Sequence, residues 1–252
     1  MKNRLFAGLL LAGVLAAPIA AQVPDSYLDV YTAKVKMGKR AEFDSINKRL
    51  AEMNRKKGDT WLAYEATYGE PNTITFVSTR TGYGAAEEGT KAFEGAVTKA
   101  LGAAGMQKLF NDFDATAENE WSELRLRRWD LSASAPADAA AYSQLVGHAR
   151  YLRIAIVRVR PGRALNFEAQ LKIGKEALVQ SLGDLDKIKP LQEVLGPAYA
   201  SYQKVAAESI AGTEVVIGRF LPELSNPPAE AVAVDAKFWR PVPPPAPKPA
   251  TN

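Results

Sequence analysis

Tyr27-Leu-Asp-Val-Tyr-Thr-Ala-Lys-Val-Lys-Met-Gly-Lys-Arg-Ala-Glu-Phe43 lies without a gap over Tyr151-Leu-Arg-Ile-Ala-Ile-Val-Arg-Val-Arg-Pro-Gly-Arg-Ala-Leu-Asn-Phe167. The offset of 124 holds for Tyr27/Tyr151, Leu28/Leu152, Val35/Val159, Lys36/Arg160, Gly38/Gly162 and Phe43/Phe167. Each copy reads as a strand of alternating or β-branched residues, a basic residue, a glycine turn and the start of an amphipathic helix. Self-similarity at one fixed offset marks an internal repeat and has to be read before any fold assignment.

Working outward from the first copy, a helix is predicted from about Arg40 to Lys57, ended at Gly58. Strands are predicted over Thr60 to Tyr68 and Thr73 to Thr79, joined by the turn Gly69-Glu-Pro-Asn72. A second helix fits Ala85 to Phe113, weakened in the middle by Gly102 and Gly105, and a last strand fits Glu120 to Leu131. The order βαββαβ is the split-βαβ, ferredoxin-like arrangement. The second copy repeats the opening with a longer helical region, Ala164 to Leu195, then predicts strands at Tyr199 to Ala206, Glu214 to Phe220 and Ala231 to Trp239. Its second helix has almost no room, so this repeat is shortened. The fold class is therefore α+β: two ferredoxin-like repeats, residues 25–131 and 148–240, joined by a small-residue linker at 132–147.

The ends read differently. Lys2 and Arg4 precede an apolar run from Leu5 to Ala17, then Pro18 and the small pair Ala20-Ala21, the pattern of a signal peptide over residues 1–21. The run is 13 residues, short of the ~20 that cross a bilayer, so no membrane span is expected after cleavage. Export to the periplasm or outside follows. Residues 241–252 hold six prolines in twelve positions and are predicted to be a disordered tail.

Composition excludes more than it includes. The 252 residues hold no cysteine and one histidine, His148. Disulfide scaffolds, thiolate metal sites, cysteine nucleophiles and two-histidine metal sites are excluded, and no metal or cofactor is expected. The formal charge of +4 falls to +2 without Lys2 and Arg4. The remaining basic residues are dispersed among acidic ones, which argues against a nucleic-acid partner. No G-x-S-x-G occurs, and one histidine could serve at most one triad.

The corner V-x-V-[KR]-x-G-[KR]-x-x-x-F, met at Val35 to Phe43 and with Val157 and Val159 to Phe167, resembles the dimeric α/β-barrel superfamily, and most nearly the NIPSNAP-like and antibiotic-biosynthesis-monooxygenase-like branches. The resemblance implies that two ferredoxin-like units build one barrel, here a pseudo-dimeric barrel within a single chain. The corner is structural, with glycine for the turn and phenylalanine as anchor, so it transfers fold and not catalysis. Haem-binding relatives use a helical axial histidine, whereas His148 is read as preceding a strand.

Strand alternation puts Tyr27, Asp29, Tyr31, Ala33 and Val35 on one face, and Tyr151, Arg153, Ala155, Val157 and Val159 on its counterpart. The more apolar Leu28/Val30 and Leu152/Ile154/Ile156 set is assigned to the helix side. Asp29 and Arg153 then occupy equivalent positions facing each other or a shared cavity, where Arg153 could hold an anionic group. Tyr31, Trp61, Tyr64, Tyr199 and Tyr202 complete the candidate ligand-binding set, suited to a small hydrophobic or aromatic molecule. Glu65, Glu123 and Asp130 are candidate general bases if buried, but no catalytic residue is assigned. An exported small-molecule-binding barrel is the first reading. A cofactor-independent monooxygenase or isomerase, and a structural or interaction protein, are the alternatives, and homo-oligomerisation is left open.

Overall fold

A computed structural model describes residues 27–131, 135–179 and 191–241; the signal segment 1–21 and the proline-rich tail from 242 onward lie outside the described residues. The first unit runs β1 (Tyr27–Val35), α1 (Arg40–Asn54), β2 (Leu62–Tyr68), β3 (Thr73–Arg80), α2 (Tyr83–Asp114) and β4 (Ala117–Leu126). After α3 (Ala139–His148), which occupies the expected linker, the second unit runs β5 (Tyr151–Val159), α4 (Ala164–Val179), α5 (Leu191–Leu195), α6 (Tyr199–Ser209) and β6 (Ile210–Phe220). Two short helices, α7 (Ala229–Val234) and α8 (Ala236–Trp239), close the described chain. All six strands form one antiparallel sheet in the order β4-β1-β3-β2-β6-β5.

The repeated corner folds twice in the same way. Gly38 and Gly162 adopt φ of 80° and 75°, a region that costs glycine little and other residues more. Lys36 N–H donates to the carbonyl of Thr116 at 2.9 Å, and its counterpart Arg160 donates to Ser209 at 2.7 Å. Both strands then carry an irregular register at the same place, with Val35 opposite Ala117 and Val159 opposite Ile210. These equivalences make α6 the counterpart of α2 and β6 the counterpart of β4. The offset is 124 at the corner but 93 between Thr116 and Ser209, a shortfall of 31 residues. What the second unit lacks among the described residues is thus the β2–β3 hairpin, not the second helix.

Two predicted strands are corrected accordingly. Tyr199 to Ala206 lies in helix α6, and Ala231 to Trp239 forms α7 and α8. The three-residue step from Tyr199 to Tyr202 was a helical period: residues 199, 202, 205, 206 and 209 are the covered positions of α6. Lacking a hairpin of its own, the second unit sets β6 against β2, so the edge that β2 would otherwise expose is paired.

Helices lie on both faces of the sheet, not on the Leu28/Val30 face alone. Ala33 and Val35 pack with Phe43 of α1 and Ile74 of β3, joined by Tyr31, Phe76 and Phe113 of α2, so the Asp29/Tyr31 face meets α1 and α2. The Leu28/Val30 face is apolar because it too is covered. On it Tyr64, Phe220 and Trp239 form a core with Leu152, Ile154, Val232 and Phe238, and Tyr142 of α3 reaches Thr79. A sheet buried on both faces offers no contrast from which composition can identify the helix side.

Helix α2 breaks at Gly102, whose φ of 71° and ψ of 168° lie outside any helix. Phe93 and Phe110, seventeen positions apart, stack with ring centroids 6.3 Å apart and planes 5° from parallel. An unbroken helix would separate them by about 25 Å, so the chain folds back on itself at Gly102. Val97, Leu101, Met106 and Leu109 of the two arms close against Ile46 and Leu50 of α1. The result is a two-armed helical roof over β1 and β3.

Candidate functional site

Between that roof and the sheet lies a cavity of about 370 Å³. Its walls are aromatic: Tyr31 of β1, Trp61 just before β2, Phe76 of β3, and Phe93, Phe110 and Phe113 from both arms of α2. Strand alternation brings Asp29 and Tyr31 into it from β1 and Phe76, Ser78 and Arg80 from β3, because Asp29 is registered with Ser78 and Tyr31 with Phe76. Trp61 is held by its indole N–H, which donates to the carbonyl of Leu224 at 2.8 Å, and meets Phe93 edge-on at 5.7 Å.

One end of the cavity is a buried ionic knot. The Arg80 guanidinium donates to both carboxylate oxygens of Asp59 at 2.6 Å, and to Asp29 at 3.2 and 3.1 Å. Hydrogen bonds and charge from Asp59, then Asp29, hold Arg80 above its ordinary value despite burial. Asp59 is placed by its backbone: its N–H donates to the buried side chain of Asn54, and its carbonyl accepts from Asn226 at 2.7 Å. Gly89 of α2 completes the enclosure, since a Cβ there would sit 2.5 Å from the guanidinium carbon. With four N–H bonds committed to two carboxylates, Arg80 is a structural cation and not an anion receptor.

The other end is acidic and open. Tyr31 donates its hydroxyl to Glu120 of β4, and Asp114, the last residue of α2, lies beside them. Burial, that hydrogen bond and the charges of Glu120 and Asp114 push the Tyr31 hydroxyl well above the ordinary tyrosine range. Tyr31 therefore stays protonated at any physiological pH. Asp114 and Glu120 are both exposed, and among the described residues no lysine or arginine pairs with either.

No protein-family model matches the sequence, and no curated protein matches it. Among solved structures the chain is similar to a protein of Fusobacterium nucleatum assigned as a monooxygenase, at 14% identity over 78% of this chain and 93% of that one, with a TM-score of 0.46. A protein of Lactobacillus acidophilus with the same assignment is 9% identical over 78% of this chain and 94% of its own, TM-score 0.43. A NIPSNAP family protein of Agrobacterium tumefaciens covers 41% of this chain and 86% of its own, at 8% identity and a TM-score of 0.31. The likeness is one of fold.

Of the residues singled out from sequence, Asp29, Tyr31 and Trp61 line the cavity. Tyr64 lies on the opposite face, buried between Thr75 and the Phe220–Trp239 core. Tyr199 and Tyr202 belong to helix α6. Arg153 lies on β5, with three strands between it and β1, and Asp29 is engaged by Arg80. Among the described residues of the second unit no hairpin corresponds to the one that carries Arg80. The reason given for excluding His148 from ligation is corrected: it ends helix α3, is exposed, contacts the carbonyl of Gln144 at 3.0 Å and does not line the cavity. Sequence reasoning missed Asp59, Arg80 and the aromatic residues of α2. The only signal was Phe93, Phe110 and Phe113 at helical spacing, which reads equally as core.

The three candidate bases are each engaged. Glu123 is paired with Arg125, Asp130 with Arg128 at 2.7 Å, and Glu65 with both Arg219 and Arg40, the latter at 2.8 Å. Burial alone would raise the Glu65 carboxyl, but the hydrogen bonds from Arg219 and Arg40 outweigh it and hold the group below its ordinary value. A carboxylate lowered on folding adds stability above its unfolded pKa, about 4.3, and loses it as pH falls through the folded value. The urea midpoint of the wild type should therefore fall more steeply below that pH than the midpoint of Glu65→Gln. Parallel pH profiles would show that the two-arginine clamp contributes nothing to folding.

Proposed function

We propose that this chain is an exported protein that binds a small, largely hydrophobic organic molecule between the sheet and the folded-back α2. The observation that carries this reading is the cavity of about 370 Å³ with six aromatic side chains around it. Small-molecule sites are concave, mainly apolar, and about 300–1,000 Å³ in volume, with a handful of polar groups to set orientation. Binding is favoured over catalysis because the lining guanidinium and the three candidate bases named from the sequence are all engaged. Arg80 is neutralised, Tyr31 is held protonated, and Glu65, Glu123 and Asp130 are ion-paired. Export rests on residues 1–21 alone, with their basic start, apolar run and small-residue end.

Calorimetric titration of the exported chain with 2-(1-naphthyl)ethanol, a neutral aromatic probe, tests the reading. One saturable site is expected, and it should be lost in Thr90→Trp, which places an indole in the cavity from an exposed position of α2. Absence of saturable binding, or binding indifferent to Thr90→Trp, would overturn it.

A further inference from the structure

The charges lining this cavity are unequal. Four carboxylates, Asp29, Asp59, Asp114 and Glu120, stand against one guanidinium, that of Arg80, which leaves three uncompensated negative charges. The imbalance is local: the whole chain carries a formal +4. Lys36, whose ammonium donates to the carbonyl of Ala115 at 2.9 Å, lies outside the cavity lining. Two of the excess charges, Asp114 and Glu120, sit at the open end, beside the edges and faces of Tyr31 and Phe113.

We infer that the ligand of this cavity is a cation, an amine or quaternary ammonium carried on an apolar body, with its charge between Asp114, Glu120 and the rings of Tyr31 and Phe113. The inference rests on the proposed binding function and names the ligand class. An anion would meet only repulsion, because the one guanidinium present is already shared by two carboxylates. A neutral molecule would leave Asp114 and Glu120 without a counter-charge once it covered the opening. A cation gains twice: from two carboxylates that no lysine or arginine among the described residues neutralises, and from the rings of Tyr31 and Phe113 that line the cavity with them. The apolar body is accommodated by Phe76, Phe93, Phe110 and Trp61, whose rings do not need hydrogen bonds from the ligand.

Three probes of nearly equal shape separate charge from fit: 2-(1-naphthyl)ethylamine, 2-(1-naphthyl)ethanol and 1-naphthylacetate, positive, neutral and negative at pH 7. The amine should bind about tenfold more tightly than the alcohol at low salt, and the acetate more weakly than either. The gap between amine and alcohol should narrow as sodium chloride is raised. In Asp114→Asn combined with Glu120→Gln, two exposed positions whose neutralisation leaves the core intact, the amine should lose its advantage over the alcohol measured on the same variant. Equal or tighter binding of alcohol or acetate would overturn the assignment to a cation and leave the binding function standing. An amine preference that survives the double variant would overturn the assignment to these two carboxylates. If none of the three probes binds, the binding function itself fails.

Discussion

Replacing Arg80 with methionine should lower the stability of the protein by about 3 kcal/mol. The guanidinium is only 8% exposed and joins Asp59 on the loop after α1 to Asp29 on β1. Without it two carboxylates remain together in a largely buried place, and removing one partner of a buried ion pair costs about 3–5 kcal/mol. The lower end of that range applies because Asp29 is about one-third exposed and part of its charge can be hydrated. Asp59 cannot move away, being tied through its backbone to Asn54 and Asn226. The triple replacement Asp29→Asn, Asp59→Asn, Arg80→Met removes the charges together and should recover most of the loss. Urea denaturation of both variants checks the prediction. A loss below 1 kcal/mol for Arg80→Met, or a triple variant no more stable than the single one, would mean the knot is not a folding element.

Trp239→Ala should cost about 4 kcal/mol, the range of Trp-to-Ala changes in a closed core. Trp239 is fully buried, packs edge-on against Phe220 at 5.9 Å and Phe238 at 4.8 Å, and donates its indole N–H to the carbonyl of Gly147 at 2.9 Å. It thereby fixes α8 and the end of α3 to the sheet face opposite the cavity. Trp239→Phe keeps most of the apolar volume but leaves the Gly147 carbonyl with only the longer bond from Arg150 at 3.3 Å, so it should cost about 1 kcal/mol. Thermal unfolding of the two variants should rank them in that order. Equal losses would locate the importance of Trp239 in its hydrogen bond and not in its packing.

Both predictions concern residues that the repeat could not reveal. The corner Val35-Lys36-Met37-Gly38 and its copy Val159-Arg160-Pro161-Gly162 were legible because each step is local: a strand period, a glycine at positive φ, a helix start. The first unit followed from the same local rules. The second unit did not, because the 31-residue shortfall removed a hairpin and the remaining segments had to be assigned without it. Read with the four-strand plan in view, the helical step of Tyr199 and Tyr202 was taken for a strand.

The candidate site divides along the same line. Asp29 and Tyr31 could be placed on one strand face, and Trp61 noted as a large aromatic at the start of the next strand. That Arg80 meets Asp29 depends on the β1–β3 register, with Tyr27 opposite Arg80. Asp59 joins them through a loop held by Asn226, 167 positions away.

Sequence alone thus determined the repeated strand–turn–helix corner and the ferredoxin-like order of the first unit, since each depends on neighbours within a few residues. Tertiary structure decided that helices cover both sheet faces, that β6 completes the edge at β2, and that α2 folds back at Gly102 to enclose an acidic, aromatic cavity. Those outcomes depend on which distant surfaces are buried against each other. A pattern of apolar residues reports that a face is covered, but not by what.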